Sequence, residues 1–188
     1  MSVVIGVDPG IGGALARYDG TDMTIMDIPG YQMMVGRKTR RRIDAVELID
    51  YFELQKAMGA ELVIIEAVGA RPRQSGMFVF GYTVGLIYMA CVAVKLPIET
   101  VPSQVWKRML NVPGKGTGDP NAIMHRADEI MPQFSGLWRG PNGGKLMDRA
   151  EAAMLAYYGL KHALHGITQV NIRDPEWWLA YKRAQTGA

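Results

Sequence analysis

Residues 3–13 read Val3-Val4-Ile5-Gly6-Val7-Asp8-Pro9-Gly10-Ile11-Gly12-Gly13, and this stretch decides the fold. Its first five residues are apolar without strong alternation, the pattern of a strand covered on both faces. An acid closes the run, and the Pro-Gly and Gly-Gly pairs that follow call for a tight turn. The same pattern returns downstream. Leu62-Val63-Ile64-Ile65 is a second buried run, and it too ends in a carboxylate, Glu66.

Working outward, Ala14 to Tyr18 and Met23 to Asp27 read as two further strands joined through Asp19-Gly20, which makes a meander with the first. A polar, basic loop follows. Asp44 then opens a helix, with Glu47 at capping-box spacing and Val46, Ile49, Tyr51, Phe52 and Leu54 as its apolar side. Met77 to Val94 predicts a buried central helix, and Pro97 to Val101 a fifth strand. Ser103 is expected to cap a short helix carrying Trp106, Lys107 and Arg108. Asn111 to Pro120 and Ser135 to Lys145 read as loops. Asp119-Pro120 reads as a helix start, and Met147 to His162 as the last helix. Strands first, then strands alternating with helices, predict an α/β fold with a mixed five-stranded sheet flanked by helices.

At 188 residues the chain fits one domain, residues 1–188, with 168–188 as a C-terminal tail. A hydrophobic content of 48% excludes a disordered chain. The lone Cys91 excludes an intrachain disulfide and suits a reducing compartment. The start lacks a basic leader, so the expected location is the cytoplasm, of a bacterium or of a phage-infected host. Met77 to Val94 is uncharged and about as long as a minimal membrane span. Its Gly81, Tyr82, Thr83 and Gly85, and the strands on either side, favour a soluble helix instead. Gly81 and Gly85 share a helix face, where another backbone could approach within the fold or across a dimer.

The net charge is +3 and the pI 9.0, with cations concentrated in Arg37-Lys38-Thr39-Arg40-Arg41-Arg42. Such a run suits a polyanionic partner, and a solvated loop explains it as well when it is judged alone. Arg40 and Arg41 are candidate DNA contacts. Arg71 and Arg73 follow Glu66 closely and favour phosphate contact. Gly114-Lys115-Gly116-Thr117-Gly118 lacks the spacing of a nucleotide-binding P-loop. His162 and His165 have no third ligand to make a zinc site. Trp106, Trp138, Trp177 and Trp178 could stack on bases, but core or interface packing is the default reading.

Singly, Asp8, Glu66, Asp148 and Glu151 each have an ordinary explanation as a turn cap, a strand end or a first-turn helical acid. Together they form a pattern. Two buried strands each end in a carboxylate, at the edge where open α/β sheets place ligands. Asp148 and Glu151, three apart, project from one helical face. Four converging carboxylates would repel one another unless cations neutralised them, and such oxygen-rich sites suit Mg²⁺ or Mn²⁺. Two ions roughly 3.5–4 Å apart would serve an in-line phosphoryl displacement.

Ile5-Gly6-Val7-Asp8-Pro9-Gly10, Ile64-Ile65-Glu66 and Asp148-Arg149-Ala150-Glu151-Ala152-Ala153 resemble, in order, the motifs of RuvC-type Holliday junction resolvases, within the RNase H-like superfamily. The similarity spans about residues 3 to 162. It implies a homodimeric, structure-selective endonuclease that grips four-way DNA junctions and leaves a 5′-phosphate and a 3′-hydroxyl. By the same resemblance Asp8 would bridge two Mg²⁺ ions, with Mn²⁺ as a substitute. Glu66 would hold one ion, and Asp148 and Glu151 would complete the site. Departures are visible. Glu151 stands where the family usually has Asp, no aromatic wedge occurs at Gly69, and a family lysine is missing near Asn121. Phe78 or Phe80 could replace the wedge, and Lys107 and Lys115 are the best cations for substrate phosphates, with Lys107 placed in the catalytic set. The chain looks most like a divergent phage-type member. Other branched DNA, RNA–DNA hybrids, or junction binding without cleavage are the alternatives. A sugar-kinase or actin-like ATPase fails on length.

Overall fold

The computed structural model describes residues 2–67, 76–113, 118–140, 142–144 and 146–163. The chain runs β1 (Val3–Asp8), β2 (Ala14–Tyr18), β3 (Met23–Asp27), β4 (Gly30–Val35), β5 (Lys38–Ile43), α1 (Ala45–Ala57), β6 (Ala60–Ala67) and α2 (Met77–Ala93). It continues through β7 (Ile98–Pro102), α3 (Ser103–Met109), α4 (Ala122–Ile130), a 3₁₀ segment (Pro132–Trp138) and α5 (Met147–Tyr158). The main sheet has the order β3-β2-β1-β6-β7. β2 is antiparallel to both β1 and β3, while β6 is parallel to β1 and β7 to β6. This is the α/β, mixed five-stranded arrangement expected of an RNase H-like fold.

The continuous apolar runs of β1 and β6 are explained by burial on both faces. Val3, Ile5, Val7, Val63 and Ile65 pack with Leu48 and Phe52 of α1 and Ile87 and Cys91 of α2. Val4, Leu62 and Ile64 pack on the other side with α5, Trp106 and Trp138. Both tryptophans are fully buried, and the Trp138 indole N–H donates to Asp128 at 2.9 Å. Asp44 caps α1 by accepting from the backbone N–H groups of Val46 and Glu47, each at 3.1 Å.

Gly6 lies beneath α5. A Cβ there would stand 2.1 Å from the carbonyl oxygen of Ala152 and 2.3 Å from the backbone nitrogen of Ala156. The helix can come this close because Ala150, Ala152, Ala153 and Ala156, all fully buried, keep its underside thin.

Several expectations need correction. Residues 30–43 are not a loop: β4 and β5 form a separate antiparallel hairpin, with Gly36 at φ 62° in its two-residue turn. The dense cations hid an alternation of Tyr31, Met33 and Val35. In α1 the buried side is Leu48 and Phe52, whereas Val46 and Leu54 face solvent. α2 is only half-buried, with Phe78, Tyr82 and Met89 exposed. Nothing lies within 4 Å of a Cβ at Gly81 or Gly85, so no other part of the described fold packs there. Ser103 is the first helical residue and makes no capping bond. α4 starts at Ala122 because Asp119 first turns the chain, accepting from the Asn121 N–H at 2.8 Å. Part of the expected loop from Ser135 is 3₁₀. The tail 168–188, with Trp177 and Trp178, and His165 lie outside the described residues. Among the described residues no helix is long and apolar enough to cross a membrane.

Gly6→Ala is expected to destabilise the fold by about 3 kcal/mol or more, since backbone rather than a movable side chain occupies the space. Denaturant unfolding would measure this, and an unchanged midpoint would show that α5 can retreat without cost.

Candidate active site

Parallel pairing sets the first two acids. Val7 is opposite Ile65 in the β1–β6 register, so Asp8 and Glu66 leave the sheet side by side at its carboxyl-end edge. The turn after Asp8 is closed by the Gly13 N–H donating to the Gly10 carbonyl at 2.9 Å. A side chain at Gly13 would strike the Asp8 carbonyl oxygen, 2.1 Å from where its Cβ would stand. The third acid arrives from α5, which Gly6 holds against the sheet.

Carboxylate oxygens of Asp8, Glu66 and Glu151 lie within 4.8 Å of one another. Glu66 is 9% exposed. Asp148, expected in the same group, stands at the rim: it is exposed and not part of that set, and its Oδ2 lies 3.9 Å from where a Gly12 Cβ would be. Its charge still reaches Asp8 and Glu151.

The electrostatics are those of acids forced together. The Asp8 carboxyl is pushed up to about 8, by burial first and then by the charges of Glu151, Asp148 and Glu66, against a backbone hydrogen bond from Gly10. Glu151 is raised to about 7, chiefly by burial. The Lys107 ammonium, from α3, opposes that rise, while Glu66 and Asp148 add to it. Burial and the nearby Asp27 raise Asp148. Three hard oxygen donors this close, with their negative charge only partly offset by Lys107, fit a divalent cation such as Mg²⁺ or Mn²⁺ better than a soft metal.

One supporting pair escaped the sequence reading. Arg149 donates from Nε and Nη2 to the two oxygens of Asp27, at 2.6 and 2.9 Å, and ties the first turn of α5 to the end of β3. The arginine was visible inside the Asp148–Ala153 motif, but only the folded sheet shows that β3 ends opposite it.

The expected DNA contacts are placed unevenly. Arg40 is exposed on β5. Arg41 is part-buried, and its Nη2 donates to the Ile28 carbonyl at 2.6 Å, which makes it a brace for the hairpin. Lys107 is beside Glu151, with its ammonium also 5.0 Å from the Trp106 ring. Arg71, Arg73 and Lys115 lie outside the described residues.

No family model matches the sequence, and no curated protein matches it. Solved structures do. Thermus thermophilus RuvC is similar with a TM-score of 0.50 and 16% identity, covering 86% of this chain and 96% of that one. The same protein in complex with Holliday junction substrate gives 0.50 and 16%, covering 87% and 96%. Fowlpox virus resolvase in complex with junction DNA gives 0.41 and 16%, covering 86% and 99%. The likeness to RuvC establishes that this chain has its fold.

Both raised carboxyls sit above their ordinary values of 3.8 and 4.5, so the folded protein binds more protons than the unfolded chain across the interval up to about 8. The stability they allow is intact below about pH 4 and is lost as pH rises through about 7 to 8. The melting temperature in EDTA is therefore expected to fall between about pH 5 and pH 9, with Mg²⁺ restoring most at the alkaline end. Asp8→Asn should flatten that fall and raise the alkaline melting temperature by about 4 °C, the shift given by roughly 1–2 kcal/mol in a chain of this size. A profile unaffected by the substitution would remove Asp8 from the cluster's electrostatics.

Proposed function

We propose that this chain is a structure-selective endonuclease that cleaves four-way DNA junctions by metal-dependent phosphodiester hydrolysis, acting as a homodimer. The observation that carries this reading is the convergence of Asp8, Glu66 and Glu151 within 4.8 Å at the carboxyl-end edge of two adjacent parallel strands. The fold shared with RuvC, a protein also solved with a Holliday junction substrate, supports the choice of substrate.

In this reading Asp8, Glu66 and Glu151 hold Mg²⁺, and Asp148 completes the site from the rim. Bound there, the cation supplies charge neutralisation at the scissile phosphate. The residues do the rest. Asp8, at the end of β1, helps hold the cation against which the phosphate is set. Lys107 opposes the rise of the Glu151 carboxyl and offers an ammonium to a phosphate oxygen. Water attacks phosphorus in line, the bond to the 3′-oxygen breaks, and that oxygen takes up a proton, which leaves a 5′-phosphate and a 3′-hydroxyl. Arg40, Arg71, Arg73 and Lys115 are proposed to contact the DNA backbone, and Arg41 to support that surface.

The dimer is proposed to form through the exposed side of α2. Phe78 is 87% exposed, and Tyr82 and Met89 line up with it around Gly85 at helical spacing. Apolar residues aligned on one exposed helix face mark an interface better than scattered ones do.

End-labelled four-way junctions, with linear duplex, flap and RNA–DNA hybrid controls, test the activity. Mg²⁺-dependent paired nicks on the junction are expected, reduced in Asp8→Asn by more than about 100-fold, beyond the usual effect of losing an outer partner of a metal ligand. Cutting confined to flaps or hybrids would retire the junction, and binding without cutting in Mg²⁺ or Mn²⁺ would retire the nuclease. Gly85→Arg is expected to leave the fold stable and to shift the protein from dimer to monomer in sedimentation. A dimer that persists unchanged would place the interface elsewhere.

A further inference from the structure

The segment between β3 and α1 contributes no acid to the carboxylate cluster, yet it has the densest charge in the chain. From Ile28 to Ile43 there are five cations, Arg37, Lys38, Arg40, Arg41 and Arg42, and no Asp or Glu. In the hairpin register Tyr31 opposes Arg42, Met33 opposes Arg40 and Val35 opposes Lys38. Directly opposed residues share a face, so one side of the hairpin interleaves apolar and cationic side chains. Little of the protein covers β4: all six of its residues are exposed. Among the described residues, Arg37, Lys38, Arg40 and Arg42 have no ion-pair partner.

The hairpin also forms one side of a groove of about 750 Å³. Val35, Arg40 and Arg42 line it from the hairpin, Val79 and Phe80 from the first turns of α2, and Ile11 from the turn after Asp8. Arg41 reaches it too, but its guanidinium is committed to the Ile28 carbonyl. Within that turn Ile11 borders the groove and the next residue, Gly12, borders Asp148. The groove and the carboxylates therefore flank the same short turn.

We propose that this groove holds an unpaired nucleotide of the strand entering the carboxylate site, with its base against Val35 and Phe80 and its phosphates on Arg40 and Arg42. The volume falls in the range of roughly 300–1,000 Å³ typical of sites that enclose a small ligand. A continuous duplex has no projecting part of that size, whereas a base released at a branch point does. Apolar and aromatic side chains interleaved with cations are what single strands select, since every base offers a π-face and every linkage a negative charge. A hairpin so poorly covered is marginal alone, and a strand in the groove completes its packing. The assignment rests on the nuclease reading for its direction into the site, but the binding itself needs no cleavage.

The test uses full-length Asp8→Asn protein in EDTA, with 2-aminopurine placed in an oligo-dT strand, in a linear duplex and at the branch point of a four-way junction. The probe's fluorescence is expected to change on the strand and the junction and not on the duplex. Arg40→Ala combined with Arg42→Ala, at exposed and half-buried positions, should weaken strand and junction binding about tenfold or more, while lowering the slope of log affinity against log salt by about 1.4. Phe80→Ala should weaken it similarly without altering the salt slope. Undiminished affinity in the double variant would overturn the proposal, as would an equal loss on duplex. A change of oligomeric state in place of a change in strand affinity would also overturn it, by assigning the groove to a second copy of the chain. The two readings fail separately. A protein that binds strands through these residues but cuts nothing keeps the groove and loses the nuclease. One that cuts junctions at unchanged KM with both arginines removed loses the groove alone.

Discussion

The seating of α5 on Gly6 is the contact on which the site depends. The helix backbone occupies the space where any side chain at position 6 would stand, and the fully buried alanines of α5 let it come that close to the sheet. That closeness brings Glu151 over the end of β1, where Asp8 and Glu66 already stand in parallel register. Glutamate at 151 extends one carbon farther than aspartate would, so reach and proximity together make the convergence. The Asp27–Arg149 pair fixes the helix at its first turn, where the backbone dipole also favours Asp148.

Holding three acids in so little space works against folding. Burial is the largest cause of the rise at both Asp8 and Glu151, and mutual repulsion adds to it. The cost is offset by the two apolar layers on either side of β1 and β6, which have no part in the chemistry. Such a site gives up stability where it needs preorganised charge. Lys107 relieves Glu151 only in part, which leaves the cluster still in want of positive charge.

Much of this was legible in the residues, for identifiable reasons. Runs such as Val3–Val7 and Leu62–Ile65 have one common explanation, burial on both faces, and their terminal acids follow in register. The placement of Asp148 was not legible, because spacing of three puts two side chains on one face without saying which of them reaches the sheet's edge. Gly6 was read only as part of a strand, since its role lies in a contact some 146 residues away in sequence that no local pattern encodes. The hairpin was missed because its cations outweigh the alternation of Tyr31, Met33 and Val35. Val46 and Leu54 misled for the opposite reason: they are apolar and at plausible spacing, but they face away from the sheet.

The sheet also divides the molecule into halves with different freedom to vary. On one side α5 presses backbone against backbone, and no exchange of side chains elsewhere can make room for a larger residue at position 6. On the other, α1 and α2 meet the sheet through ordinary interdigitated side chains, and they and the hairpin leave much of their surface uncovered. A lineage could therefore remodel the second half, altering what the protein holds and what it assembles with, while the first half hands on its acids unchanged. A fold that outlasts most of its sequence is what such an asymmetry would produce.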